Sequence, residues 1–295
     1  MSIRLEMLQV ARLAPKLLGE STELVGKFIR SQQNEDGGFR DRAGKSDLYY
    51  TVFGLDALVA LQQEPPLDRV RQFVDGIDPE PLDFVHLCAL IRCLTATRAV
   101  AKSQTEKSLF ERVMKFRARD GGFSQKHNGE RGTAYGAFLA VSALQDLGER
   151  PPEPEQLINS LQDLATEDGA WTNEVLPVFG KIGATNATAA TIVILRALGA
   201  RVPDSAAQWL LARAHPQGGF LAIPHAPIPD LLSTATALHS LAVLGVSSER
   251  VKESCLDFID SLWTNDGGFH GNWTDDHLDC EYTFYGLLAL GHLSV

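Results

Sequence analysis

The sequence predicts an all-α protein in which six helical hairpins close into a ring with an inner and an outer layer. A turn of two small residues followed by an aromatic ring recurs between helices. It lies at residues 36–39, 120–123, 168–171, 217–220 and 266–269. The first two turns are 84 residues apart and the later ones 48 or 49, so the first interval holds two units and six units fit in the chain.

The two helices of each unit differ in polarity. The helix before each turn is amphipathic, whereas the helix after it is apolar on nearly all sides, as in the run Tyr49 to Leu61. A helix that is apolar all round has to be buried, while its amphipathic partner can face water on one side. This contrast predicts two concentric layers.

A leading amphipathic helix is predicted over residues 3–18, and the helices of the six units follow it along the chain. The predicted outer helices span 21–33, 67–74, 106–117, 155–164, 205–214 and 249–263, and the inner helices span 46–61, 83–97, 133–147, 185–198, 231–244 and 279–293. The second unit lacks the glycine turn. An open solenoid and a bundle also fit the period, but a solenoid ends in a repeat with a polar face, and the last inner helix is apolar and aromatic. This last helix needs a neighbour that covers its apolar surface, and in a closed ring the first unit supplies one.

Composition limits the classes of function. The chain has 295 residues, 44% hydrophobic and 22% charged, and a net charge of −10, which argues against binding nucleic acid. No run approaches the ~20 apolar residues of a membrane span. The four cysteines form no CxxC pair and three lie in apolar runs, which favours a reducing, cytoplasmic compartment.

The turn with its preceding glutamines, from Gln32 to Phe39, and the opening of the last inner helix, from Asp279 to Gly286, resemble the prenyltransferase and squalene-cyclase repeat. Over residues 21–293 the chain is similar to the β subunit of the protein farnesyl- and geranylgeranyltransferases. The resemblance implies an α6/α6 toroid, an α/α barrel whose central, aromatic-lined cavity accepts an isoprenoid. It also implies one toroid domain over 21–295, preceded by the leading helix within 1–20.

A ligand site is expected where the inner helices begin. All six inner helices run in one direction, so their N-terminal ends gather at one rim and attract a diphosphate. Arg131 and Lys181 lie near two of these starts. The candidate substrate-binding residues are Tyr50, Phe84, His86, Arg131, Tyr135, Lys181 and Tyr282. For any single one of the aromatic rings, core packing is the simpler explanation.

The resemblance also bears on metals. The zinc ligands of the protein prenyltransferases are an Asp, a Cys and a His, and their positions here are Asp230, Leu232 and Tyr282. Because the cysteine and the histidine are absent, a zinc ion of the family type is not expected. Asp47, His86 and Asp230 are the remaining metal candidates, and no cofactor is indicated except Mg²⁺ accompanying a diphosphate.

Three functions stay open. The resemblance favours a prenyltransferase-like protein that binds an isoprenoid or its diphosphate and transfers the prenyl group. A terpenoid cyclase would use a rim aspartate, Asp279 or Asp230, as an acid kept neutral by a dry site, although helix capping explains both aspartates without catalysis. The third is a non-catalytic isoprenoid-binding or protein-interaction module. A protein partner or a homodimer is compatible with each of them.

Overall fold

The computed structural model describes residues 2–97 and 104–295, and it consists of two layers of helices. The outer helices are α3 (Ser21–Ser31), α5 (Leu67–Asp75), α7 (Gln104–Met114), α9 (Pro154–Gln162), α11 (Ser205–Leu211) and α13 (Lys252–Leu262). The inner helices are α4 (Leu48–Ala60), α6 (Phe84–Ala96), α8 (Ala134–Asp146), α10 (Thr185–Ala197), α12 (Leu231–Val243) and α14 (Cys280–Leu293). Two short strands, β1 (Phe39–Arg40) and β2 (Ser46–Asp47), pair in antiparallel register, and a 3-10 turn at Glu249–Val251 precedes α13.

The inner helices form a closed ring. Each contacts the next in chain order, and α14 contacts α4. An ion-pair cluster joins the first and last units, because the Arg42 guanidinium donates from Nε to Asp279 Oδ2 and from Nη2 to Asp275 Oδ2, both at 2.8 Å. The predicted α/α toroid is therefore confirmed. No helix in the described parts of the chain is long and apolar enough to cross a membrane.

The recurring turn anchors the outer helix to its inner partner in the five units that contain it. Its second residue is a glycine at φ 87° to 96°, a backbone conformation that side chains disfavour. The aromatic ring that follows is buried, with Phe39, Phe123, Trp171, Phe220 and Phe269 all at most 3% exposed. In four units the N–H of this aromatic residue donates to a buried threonine in the first turn of the inner helix, as from Phe220 to Thr234 Oγ1 at 2.9 Å.

The leading segment differs from the prediction of one helix over residues 3–18. It forms α1 (Ile3–Ala11) and α2 (Pro15–Leu18), because Pro15 has no N–H to donate to an uninterrupted helix and begins a new one. Helix α1 lies across the end of the ring where the inner helices finish. The Ile3 N–H donates to Gln145 Oε1 at 2.9 Å, and Arg4 pairs with Asp56 at 2.7 Å.

The anchor between turn and inner helix predicts a stability effect. Thr234→Val should lower the free energy of unfolding by about 1–3 kcal/mol, because the buried Phe220 N–H loses its acceptor. Urea denaturation measures this change. Thr22→Val is the matched control, since the buried Thr22 Oγ1 has no hydrogen-bond partner among the described residues. An equal loss of stability in both variants would contradict the prediction.

Candidate functional site

An apolar cavity of about 190 Å³ lies inside the ring of inner helices. A smaller one of about 80 Å³ adjoins it. The two share the rings of Tyr49, Tyr135, Phe138 and Tyr285 in their walls. The larger cavity is also lined by side chains of α10 and α12, with Asn186 and Leu232 near the starts of those helices and Val193 and His239 deeper in the ring.

The second residue of every inner helix occupies an equivalent place near the rim, the end of the ring where the inner helices begin. The six residues are Tyr49, Val85, Tyr135, Asn186, Leu232 and Glu281. The first five line one or both cavities, and the sixth, Glu281, accepts a hydrogen bond from the Tyr49 hydroxyl at 2.7 Å. A carboxyl group therefore stands beside the aromatic wall of the cavity.

The environment of Glu281 favours its neutral form. Burial raises the pKa of this carboxyl to about 7, and the negative charge of Asp279 acts in the same direction, against the hydrogen bond from Tyr49. Burial also raises the pKa of Tyr49 well above its usual value, so the phenol keeps its proton and donates it in the hydrogen bond. The pair holds a transferable proton near neutral pH.

The two aspartates predicted as catalytic acids act as helix caps. Asp279 Oδ1 accepts from the Tyr282 N–H and Oδ2 accepts from Arg42 Nε, both at 2.8 Å. Asp230 Oδ1 and Oδ2 accept from the N–H and the hydroxyl of Ser233, both at 2.7 Å. Burial raises the pKa of both carboxyls against these contacts. Their oxygens are engaged at the helix ends, whereas Glu281 has one partner.

Asp230 does not fit the zinc site that the family resemblance implies. Both of its oxygens are bound to Ser233, and the other two equivalent positions hold Leu232 and Tyr282, which offer no thiolate or imidazole. Within residues 2–97 and 104–295, no group of three or more His, Cys, Asp or Glu side chains is arranged to hold a metal ion.

The other metal candidates, Asp47 and His86, belong to a hydrogen-bonded trio at the rim. His86 Nδ1 lies 2.8 Å from Asp83 Oδ1, and its Nε2 lies 2.9 Å from Asp47 Oδ2. Partial burial opposes the charged imidazole, but the hydrogen bonds to Asp83 and Asp47 outweigh it and raise the pKa of His86. Both ring nitrogens lie within hydrogen-bond distance of a carboxylate, and the contact with Asp47 joins the first two units.

The predicted aromatic binding residues lie in three different places. Tyr135 lines both cavities. Tyr50 and Tyr282 lie at the rim in the first turns of their helices, and the Arg42 guanidinium lies 5.4 Å from the ring centre of Tyr282. Phe84 is fully buried and stacks on Phe116 at 4.3 Å, so it packs between the layers.

The two predicted cations point to the outer surface of the rim. Arg131 is exposed, and its neighbour Glu130 pairs with Arg119 at 2.7 Å. Lys181 is exposed and donates to the backbone carbonyl of Ala165 at 3.1 Å. Neither lines the larger cavity.

Sequence reasoning missed Glu281 although a signal was present. It is the one carboxylate at the second position of an inner helix, a position held elsewhere by aromatic, aliphatic or amide side chains. The glycine turns align the inner helices of the units, and this alignment shows the carboxylate at the second position. The sequence analysis predicts the helix-capping aspartate two residues earlier, Asp279, as the acid instead.

Comparison with known proteins places these features in context. The family model for the prenyltransferase alpha-alpha toroid domain matches residues 14–83, 82–186 and 188–294. No curated protein is significantly similar in sequence to the chain.

Solved structures share the fold at low sequence identity. The type II terpene cyclase MstE from Scytonema is 15% identical over 94% of this chain and 97% of the cyclase, with a TM-score of 0.60. A variant of that cyclase in complex with its substrate, geranylgeranyl dihydroxybenzoate, is 14% identical over 95% and 97% of the two chains, with a TM-score of 0.61. The GH76A α-1,6-mannanase from Salegentibacter sp. HEL1_6 is 15% identical over 93% and 98%, with a TM-score of 0.63. At these identities the likeness shows the fold alone.

The raised pKa of Glu281 predicts a pH-dependent stability difference. The unfolded chain loses this proton near pH ~4.3, whereas the folded chain holds it up to about pH 7. Stability therefore falls as pH rises between these values. Glu281→Gln removes this loss. The free energy of unfolding of the variant, relative to that of the parent, should therefore rise by up to about 1.4 kcal/mol per pH unit in that window.

Urea denaturation from pH 4 to pH 8 tests this prediction. Glu253→Gln, at an exposed glutamate in the first turn of α13, is the matched control. A variant whose stability follows the parent at every pH would show that the Glu281 carboxyl ionises normally in the folded chain.

Proposed function

Because the chain belongs to the prenyltransferase alpha-alpha toroid family, we propose that it binds a short isoprenoid in the central cavity and that Glu281 donates the proton that starts its cyclisation. The observation that carries this proposal is that a partly buried carboxyl, with its pKa raised to about 7, is bound to an aromatic side chain in the wall of an apolar cavity. A type II terpene cyclase shares the fold, which is consistent with the proposal.

The proton transfer follows from the hydrogen bonding of Glu281. Oε1 accepts from the Tyr49 hydroxyl, so the carboxyl proton resides on Oε2. The π electrons of an alkene in the cavity take this proton, which forms a C–H bond and leaves a tertiary carbocation. The Tyr49 hydroxyl then stabilises the carboxylate that remains, because hydrogen bonds to charged groups are the stronger ones.

The cavity walls serve the steps that follow. A second alkene of the same chain attacks the cation and closes a C–C ring bond, and loss of a proton from the carbon next to the new cation yields a cyclic alkene. That proton returns to the carboxylate or to water, so no other reactant is consumed. The faces of Tyr49, Tyr135 and Tyr285 stabilise the cations, and the apolar lining keeps water from capturing them.

Prenyl transfer is the second candidate, because the matching family model is named for prenyltransferases. It requires cations to hold a diphosphate. At the rim, however, aspartates cap α4, α6, α12 and α14, and the Arg42 guanidinium is already paired with two carboxylates. This charge arrangement favours a neutral ligand over an anionic one.

The proton donor is tested by substitution and isotope labelling. Incubation of the protein with a linear ten-carbon isoprenoid alcohol in D₂O should give a cyclic product with one deuterium on carbon, detected by mass spectrometry. Glu281→Gln should lower the rate by about 10²–10⁴-fold, the range for loss of a general acid. Glu253→Gln serves as the control and should act like the parent. Unchanged turnover in Glu281→Gln would refute Glu281 as the donor.

The two candidate reactions differ in the ligand that they require. The parent should bind geraniol more tightly than geranyl diphosphate in isothermal titrations with and without Mg²⁺, since like charges at the rim repel the diphosphate. Tighter binding of the diphosphate, weakened about tenfold in Arg131→Ala by loss of a charge-assisted contact, would favour prenyl transfer instead.

A further inference from the structure

Met7 stands apart from the other described residues that line the larger cavity. All the others belong to inner helices, whereas Met7 belongs to α1, which lies outside the six repeated units. The side chain is partly buried and packs against the core. The cavity is therefore completed by a residue that the repeats do not supply.

Met7 lies at the end of the cavity opposite the rim. Its helix, α1, is bound to the second half of two inner helices. Arg4 forms an ion pair with Asp56 of α4, and the Ile3 N–H donates to Gln145 of α8. It also contacts α14 and α10. Helix α1 thus spans the ring and closes the cavity where the inner helices finish.

The depth of the cavity follows from its lining. Leu232 near the rim and His239 deeper in the ring both line it and are seven residues apart on α12, which corresponds to about 10 Å along the helix axis. An apolar cavity of about 150 Å³ accommodates benzene. At the same volume per carbon, a cavity of about 190 Å³ holds roughly eight carbons, which is the unbranched backbone of a ten-carbon isoprenoid.

We propose that Met7 sets the maximum length of the isoprenoid that the cavity accepts, a specificity that rests on the isoprenoid binding proposed above. The position of α1 gives this residue a fixed place. At Gly291 of α14, an added Cβ would lie 2.1 Å from the carbonyl oxygen of Val10, so α1 packs directly against the backbone of α14. The methionine side chain then ends the cavity.

The test measures binding of geraniol, farnesol and geranylgeraniol, with ten, fifteen and twenty carbons, by isothermal titration. The parent should prefer geraniol. Met7→Ala removes three heavy atoms from the cavity end, and each further buried carbon adds roughly fourfold to a binding constant. The ratio of farnesol to geraniol affinity should therefore rise at least tenfold, while Met7→Trp should weaken geraniol binding by a similar factor.

Met114→Ala is the matched control, because Met114 is a partly buried methionine on the outer helix α7 and does not line the cavity. A second variant, Gly291→Ala, displaces α1 without changing a cavity side chain, and it should also shift the preference towards farnesol. Circular dichroism verifies that each variant is folded.

The outcomes separate this inference from the proposed reaction. A length preference that is the same in the parent, Met7→Ala and Gly291→Ala would overturn the role of Met7, as would failure of the parent to bind any of the three alcohols. Binding with the predicted length shift but without any cyclic product would refute the cyclisation and leave the role of Met7 intact.

Discussion

The structure depends on the burial of one aromatic ring per turn against the inner helix that follows. The ring removes a large apolar surface from water, and in four units a threonine hydroxyl accepts the N–H of the same residue. Some inner helices make room for the ring with a glycine, because a Cβ at Gly54 would lie 2.3 Å from the Phe39 ring. This local contact fixes the direction of the inner helix in the five units that have the turn, and all six inner helices gather their N-terminal ends at one rim.

The position of each inner helix decides what the site contains. Four of the six starts carry an aspartate that caps the helix, so the rim is acidic even though helix dipoles favour anions there. Below it the walls are mostly aromatic and aliphatic, with Asn186, Thr236, His239 and Ser240 among the lining side chains. The Glu281 carboxyl, which accepts a hydrogen bond from Tyr49 of this wall, is buried enough for its pKa to rise to about 7. At the opposite end, α1 completes the enclosure with a residue from outside the repeats.

Much of the fold was predictable because its signals are local and repeated. The glycine turns and the contrast in polarity gave the helices of all six units to within a few residues, and the apolar last helix indicated closure. Pro15 is the sequence signal for the break in the leading helix, but the leucine spacing continues across it and predicts a single helix. The site was less accessible. Asp279 and Asp230 were chosen as acids from their place at helix starts, but whether a carboxyl is engaged by Arg42 or Ser233 depends on contacts between distant parts of the chain. The closure of the cavity by Met7 depends on tertiary packing of α1 and has no local signal.

The equivalent second positions of the inner helices have a further consequence. Six side chains, Tyr49, Val85, Tyr135, Asn186, Leu232 and Glu281, occupy equivalent positions in a ring of six inner helices. The packing that builds the ring, through the turn aromatics and the threonines, uses other residues. The six positions therefore give a ring of equivalent helices a polar side and an apolar side. An asymmetric guest molecule has a single preferred orientation in such a frame, which is the requirement for delivering a proton to one carbon among many that are chemically alike.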